Sequence, residues 1–195
     1  AVFLYMILNR FKITKRQKEV IEKKNKQITE SIQYAKRIQE ASLTSDDYIS
    51  KYLKDYFIFY QPRDIVSGDF YWVYEINPNK IMIAVCDCTG HGVPGALMSM
   101  ISTSLLNETV IENGIVQADK VLDTLRSQII KALKQDKGNA QTLDGLDMTL
   151  LVLDKKERKA DFASAGHTLY INSNGSITEI KGNAFPVGYF FDRIK

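Results

Sequence analysis

One short run constrains this chain more than any other. Ile81–Cys86 (IMIAVC) carries no polar side chain and reads as a strand buried on both faces. It ends on a carboxylate, Asp87, and is followed by Cys88-Thr89-Gly90-His91-Gly92-Val93-Pro94-Gly95. Pro94 opens a helix at its first turn, where its missing N–H costs nothing. A buried strand that feeds a glycine-rich turn and then a helix demands a layered domain, with the turn at one edge of a sheet. A bare charge buried at that strand end is costly. A hard divalent cation removes the cost, because Mg²⁺ and Mn²⁺ take carboxylate, carbonyl and water oxygens. The glycines let the backbone approach an ion and present a main-chain carbonyl to it. The plainer reading of a strand-end Asp before glycines is a turn former or helix cap. Taken alone, the stretch leaves both open.

A second acid stands nearby. Ser67-Gly68-Asp69 precedes Phe70–Ile76, which is joined to Lys80–Cys86 by Asn77-Pro78-Asn79, a plain hairpin signal. Pairing across that hairpin brings Asp69 toward the end that carries Asp87. Two acids at one sheet edge are the minimum for a metal site that binds phosphate oxygens and activates water.

The rest of the body, 46–195, reads as α+β. Tyr56–Gln61 (YFIFYQ) is a strand by aromatic content and Met148–Leu153 is another buried strand. Tyr170–Ile171 and Ile177–Ile180 flank Asn174-Gly175, a second hairpin. The Pro94 helix presents Leu97, Met98, Ile101 and Leu105 inward. A further helix over Ala118–Lys134 is amphipathic. The expected architecture is a layered β-sandwich faced by helices.

The leader differs from the body. Residues 1–45 hold ten basic and four acidic side chains, net +6, against 16 and 19 in the remainder, net −3. The overall +3 is too small to argue for nucleic acid. Residues 1–8 (AVFLYMIL) are all apolar, and five positive charges follow between Arg10 and Lys18. That order matches the inner end of a membrane helix. It is the reverse of a signal peptide, whose charges come first, although a cut signal peptide or a core helix remains an alternative. We expect 1–16 to be the end of a transmembrane helix with its basic flank, on a chain cut from a longer protein. From Gln17 to Leu43 there is no Gly or Pro. Ile21, Asn25, Ile28, Ile32, Ala35, Gln39 and Ser42 alternate at spacings of four and three, an a/d seam with an Asn at one a position. Residues 17–45 therefore read as a coiled-coil signalling helix that forms a parallel homodimer. The alternative is a single amphipathic helix lying on the body.

Several blocks together carry a resemblance. GDFYW, AVCDCTGHGVPGALMSM, DGLDMTLLVLD, FASAGHTLYI and FPVG stand in this order between Tyr56 and Gly188. They resemble the bacterial branch of the PPM metal-dependent Ser/Thr phosphatases (protein phosphatase 2C type), in particular the sporulation and sigma-factor-regulating phosphatases. SIQYAKRIQEA resembles the helical linker of their membrane-tethered or sensor-fused members. The resemblance implies a β-sandwich flanked by helices, and two Mn²⁺ or Mg²⁺ ions whose bridging water attacks phosphoserine or phosphothreonine. It implies Asp69 and Asp87 as catalytic metal ligands, with Asp87 bridging the ions and the Cys88 main-chain carbonyl beside it. Gly90, His91 and Gly92 would shape the loop and its surroundings, and the Pro94–Asn107 helix would correspond to a switch element. The implied substrate is a phosphorylated regulatory protein such as an anti-sigma-factor antagonist. The implied location is the cell membrane, with the catalytic domain on the cytoplasmic side. The family's later acidic ligands, in a T-D-G motif and near the C-terminus, have no counterpart up to Lys195. Asp144 and Asp147 precede FASAGH and do not replace them. The phosphatase domain is thus expected to be incomplete, leaving a second class in play: a catalytically deficient phosphatase-fold dimer that binds a phosphoprotein.

Other chemistries fit poorly. Cys86, Cys88 and His91, with His167, offer a zinc pattern, but Cys86 ends an apolar strand and reads as core. A cysteine phosphatase needs Arg six residues after its Cys, where this chain has Gly92 or Pro94. His167 at the Ala165-Gly166 turn reads as packing before it reads as a site. The two cysteines form no disulfide framework. No Gly-x-Ser-x-Gly elbow, phosphate-binding loop or dinucleotide fingerprint occurs.

Overall fold

A computed structural model of the chain describes residues 2–136 and 143–188. The first element is a single helix, α1 (Val2–Ser42). At about 1.5 Å per residue it reaches roughly 60 Å. No break separates the apolar start from the seam, because strong helix formers fill the whole stretch. Among the described residues no helix is long and apolar enough to cross a membrane. The seam positions Ile21 and Ile28 are exposed; only at the end of α1 does the helix meet the body.

A short helix, α2 (Asp46–Ile49), follows. Its cap is Ser45, whose hydroxyl accepts from the Tyr48 N–H. The hairpin is as expected but longer: β1 (Phe70–Asn77) and β2 (Lys80–Cys88). They pair antiparallel with Phe70 opposite Cys86 and Trp72 opposite Ala84. Then come α3 (Gly92–Asn107), one π-helical turn (Glu108–Glu112) and α4 (Ala118–Ala132). The remaining strands are β3 (Gly145–Asp154), β4 (Lys159–Ala165), β5 (Thr168–Ser173), β6 (Ser176–Lys181) and β7 (Val187–Gly188). The main sheet runs β1-β2-β3-β4, with β7 extending the β4 side of β3; β5 and β6 form a separate hairpin. The Asn174-Gly175 turn of that hairpin has positive φ at both residues, as a tight two-residue turn requires. The long N-terminal helix and antiparallel sheets make an α+β fold.

One face of the sheet carries the core. Met82, Ala84 and Cys86 of β2 and Met148 and Leu150 of β3 pack against Met98 and Leu106 of α3 and Val121, Leu125 and Ile129 of α4. The period-2 geometry of strands places these side chains together.

The structure corrects four expectations. Tyr56–Gln61 is not a strand: Phe57 is 89% and Phe59 83% exposed, and no described strand pairs with the segment. Aromatic content supplies propensity, whereas a strand also needs a hydrogen-bonded neighbour. The β2 strand is buried throughout only on the face toward α3 and α4; on the other face Ile81 is buried, Ile83 half-buried and Val85 51% exposed, so that face opens toward the Asp87 end. In α3 Leu97 is 61% exposed; small residues, Gly95, Ala96, Ser99 and Ser102, take the inward face with Met98 and Leu106. Finally, α4 ends at Ala132, two residues early, since Lys134 takes a left-handed φ of 53°. Residues 189–195 of the expected catalytic domain lie outside the described residues.

Candidate active site

The hairpin register decides where the acids go. Asp69 directly precedes β1, and Asp87 is the second-last residue of β2. With Phe70 opposite Cys86, their side chains meet. Asp69's carboxyl is pushed up from its ordinary range, first by partial desolvation and then by the charge of Asp87 and a side-chain hydrogen bond with it; His167 pulls it back down. Both acids are exposed. Burial of a lone charge is therefore not what calls for a cation here; two adjacent like charges are.

Continuing along the row, Asp147 of β3 lies opposite Asp87. Its carboxyl sits where a Cβ on Gly166 would be, 2.1 Å from that point. His167, the next residue, lines the same groove as Asp69 and Asp87. The groove is about 450 Å³ and is otherwise walled by Ile49, Tyr56, Phe57 and Val85 among others. It lies on the sheet face opposite α3 and α4, with Ile49 of α2 on its wall.

The turn after Asp87 is built by close backbone approach. The Cys88 carbonyl oxygen lies 3.1 Å, and that of Gly90 2.9 Å, from the position a Cβ on Gly68 would take. A Cβ on Gly95 would stand 2.6 Å from the Gly90 oxygen. The Ser67–Asp69 segment, the 88–92 turn and the start of α3 are thereby in contact. Thr89 fixes the turn to β3: its Oγ1 donates to the Gly145 carbonyl at 3.0 Å and its N–H donates there at 2.9 Å. Gly90 and Gly92 have φ of 89° and 61°, which L side chains rarely adopt.

His91 stands at the head of α3 without capping it. Its Nδ1 is 2.8 Å from Asp64 Oδ2. Asp64 was not singled out in the sequence; it lies in an irregular loop that offers no periodicity to read. Two other groups escaped notice. The Ser67 hydroxyl accepts the Asp69 N–H at 3.0 Å, and Gln39 reaches Ser67 from α1. Cys86 and Cys88 are buried on the helix side of β2. Burial pushes both thiols up, Cys88 to about 12, so neither offers a thiolate. Among the described residues no three His, Cys, Asp or Glu side chains converge to hold a metal. The convergence is of two carboxylates, and these fit a hard cation through oxygen alone.

Comparison with known proteins places this architecture. The model of the family "Stage II sporulation protein E (SpoIIE)" matches residues 77–192. The phosphoserine phosphatase RsbP of Bacillus subtilis (strain 168) is 26% identical over 163 residues, 83% of this chain and 39% of that protein. The SiaA-PP2C domain of Pseudomonas aeruginosa superposes with a TM-score of 0.75 at 32% identity, over 84% of this chain and 64% of that one. The chain thus spans less than two thirds of either relative. With the matched segment running from the end of β1 through Asp87 and the α3 turn to beyond β7, the chain belongs to the SpoIIE family of protein phosphatase 2C type domains.

Proposed function

We propose that the protein hydrolyses phosphoserine or phosphothreonine on a signalling protein with the help of Mn²⁺ or Mg²⁺. The single observation carrying this reading is the meeting of Asp69 and Asp87 at the mouth of an open groove. The relative named a phosphoserine phosphatase supports the reaction class. Asp69 and Asp87 would hold the ions, with the Cys88 carbonyl contributing on the Gly68 side. When bound, the ions supply acidity to water and neutralise phosphate charge. The chain's own part is to hold two negative charges together on a rigid hairpin. Gly68 and Gly95 keep Cβ atoms away from the approaching backbone, and Gly90 and Gly92 supply the left-handed φ that the turn needs. The groove beside the acids, walled by Tyr56 and Phe57, is where a phosphorylated segment would lie.

The test is hydrolysis of a phosphoserine peptide. Activity should require Mn²⁺ or Mg²⁺ and vanish with chelator. Asp87→Asn should lower it by at least ~100-fold, since losing a ligand costs no less than losing the groups that orient one. Activity indifferent to chelator would contradict the reading.

The natural substrate on this reading is a phosphorylated regulator, such as an anti-sigma-factor antagonist. Two copies would associate through the exposed seam of α1, with the helix start continuing into a membrane anchor and the body on the cytoplasmic side. One observation favours a second reading. Because only two carboxylates converge among the described residues, a phosphatase-fold dimer that binds a phosphoprotein without turnover fits as well. Tight phosphopeptide binding with no release of phosphate, at saturating Mn²⁺, would select it.

A further inference from the structure

The helix α1 buries just one of its residues, and that residue is an amide. Gln39 is 4% exposed, where a helix docked on a core would ordinarily present an apolar side chain. A buried amide is costly unless its hydrogen bonds are made. Here they are made to two residues, Ser67 and Ser99. Gln39 Nε2 donates to the Ser67 carbonyl at 2.6 Å and to Ser99 Oγ of α3 at 2.7 Å, and its Oε1 accepts the Ser67 N–H at 3.0 Å. Both backbone polar groups of Ser67 are thus held by a single side chain. Ser67 is itself buried and lies outside any strand, so no sheet ladder serves it. Its hydroxyl then accepts the Asp69 N–H at 3.0 Å.

We propose that Gln39 is a positioning residue for Asp69. It grips Ser67 at N–H and C=O, and Ser67 grips Asp69, so the carboxylate stands beside Asp87 rather than swinging on a free loop. The chain of contacts is Gln39–Ser67–Asp69, two links from helix to acid. That this matters for cation binding rests on the reading of Asp69 and Asp87 given above.

The experiment uses the intact protein and two readouts: Mn²⁺ affinity, from the EPR signal of free Mn²⁺, and amide hydrogen exchange. Gln39→Met keeps the volume and removes every bond. It should speed exchange at Ser67 and Asp69 while leaving β2 and β3 amides unchanged. It should also weaken Mn²⁺ binding by roughly 10-fold or more, the usual scale for a group that orients a ligand. Leu43→Ala loosens the segment just after α1, where Leu43 packs on the core, without touching the chain of contacts; it should lower the thermal midpoint yet leave Mn²⁺ affinity within about twofold, well short of that scale. Should Gln39→Met fail to fold, Ser67→Ala cuts the last link and should speed exchange at Asp69, leaving the residue 67 N–H on Gln39, with the same weaker binding. Unchanged Asp69 exchange in the variants, or equal loss of Mn²⁺ affinity in Leu43→Ala, would overturn the proposal. A wild-type protein that binds no Mn²⁺, but whose Asp69 amide is freed by Gln39→Met, would sink the cation reading while upholding the positioning role.

Discussion

At the scale of single residues, the site depends on places where no side chain fits. Gly166 has φ of 83° and faces the Asp147 carboxyl. Gly166→Ala adds both strain and a clash, and should lower stability by about 1–3 kcal/mol, measured by urea unfolding. An unchanged midpoint would mean that Asp147 simply moves aside. Tyr52 offers a pH-dependent test. Its hydroxyl donates to Glu75 Oε2 at 2.7 Å, and that bond, with lesser desolvation, raises its pKa to about 12. The folded value lies above the unfolded 10.0. The contribution is therefore full below pH 10 and lost as pH rises toward 12. Tyr52→Phe should remove one phenolate transition near pH 12 from the absorbance titration. Asp69 and Asp87 were legible in the sequence because Asn77-Pro78-Asn79 marks the hairpin that brings them together; in the fold the turn is Pro78-Asn79, with a register shift between Glu75 and Asn77. Asp64 was not, since its meeting with His91 depends on a loop path that no pattern encodes. Gln39 was read as a seam position; nothing in its spacing says that its partner is Ser67.

At the scale of elements, strands with both pattern and partner were readable, and those with pattern alone were not. The β1–β2 hairpin, β3 and the β5–β6 turn follow from apolar runs and turn residues. β4 and the π-helical turn carry no such signal. Tyr56–Gln61 has the composition of a strand, but pairing is a property of neighbours, not of the segment. In α3 the inward face is made of small residues because the helix approaches the Gly68 and Gly90 backbone closely, so apolar spacing pointed to the wrong side. The core is tested by Leu150→Ala. Leu150 is fully buried between sheet and helices, and its truncation should cost about 2–5 kcal/mol. For α1, the exposed Ile21 and Ile28 lie on the seam with Asn25. On the dimer reading, light scattering should give the mass of two chains, and Ile28→Lys should reduce it to one. A wild-type mass of one chain at high concentration would return α1 to the alternative of a lone amphipathic helix.

At the scale of the molecule, the two sheet faces have separate tasks. The helix-covered face holds the core and fixes the hairpin. The other face carries Asp69, Asp87 and Asp147 in a row at one end and an apolar groove beside them. That division explains how an exposed acid pair stays fixed: the Asp87 backbone belongs to β2, whose other face is buried in the core, and the Asp69 N–H is held by Ser67. The fold class was accessible from the sequence because the apolar runs of β2 and β3, the turn residues between strands and the amphipathic spacing of α4 are written in the residues. The openness of the second face was not, because a continuous apolar run looks the same whether or not a second layer covers it. The central claim is that Asp69 and Asp87 share a cation. Crystals soaked in Mn²⁺ and measured for anomalous scattering at the manganese edge test it most directly. The account predicts a peak in contact with both carboxylates. A peak elsewhere, or none at saturating Mn²⁺, would contradict it.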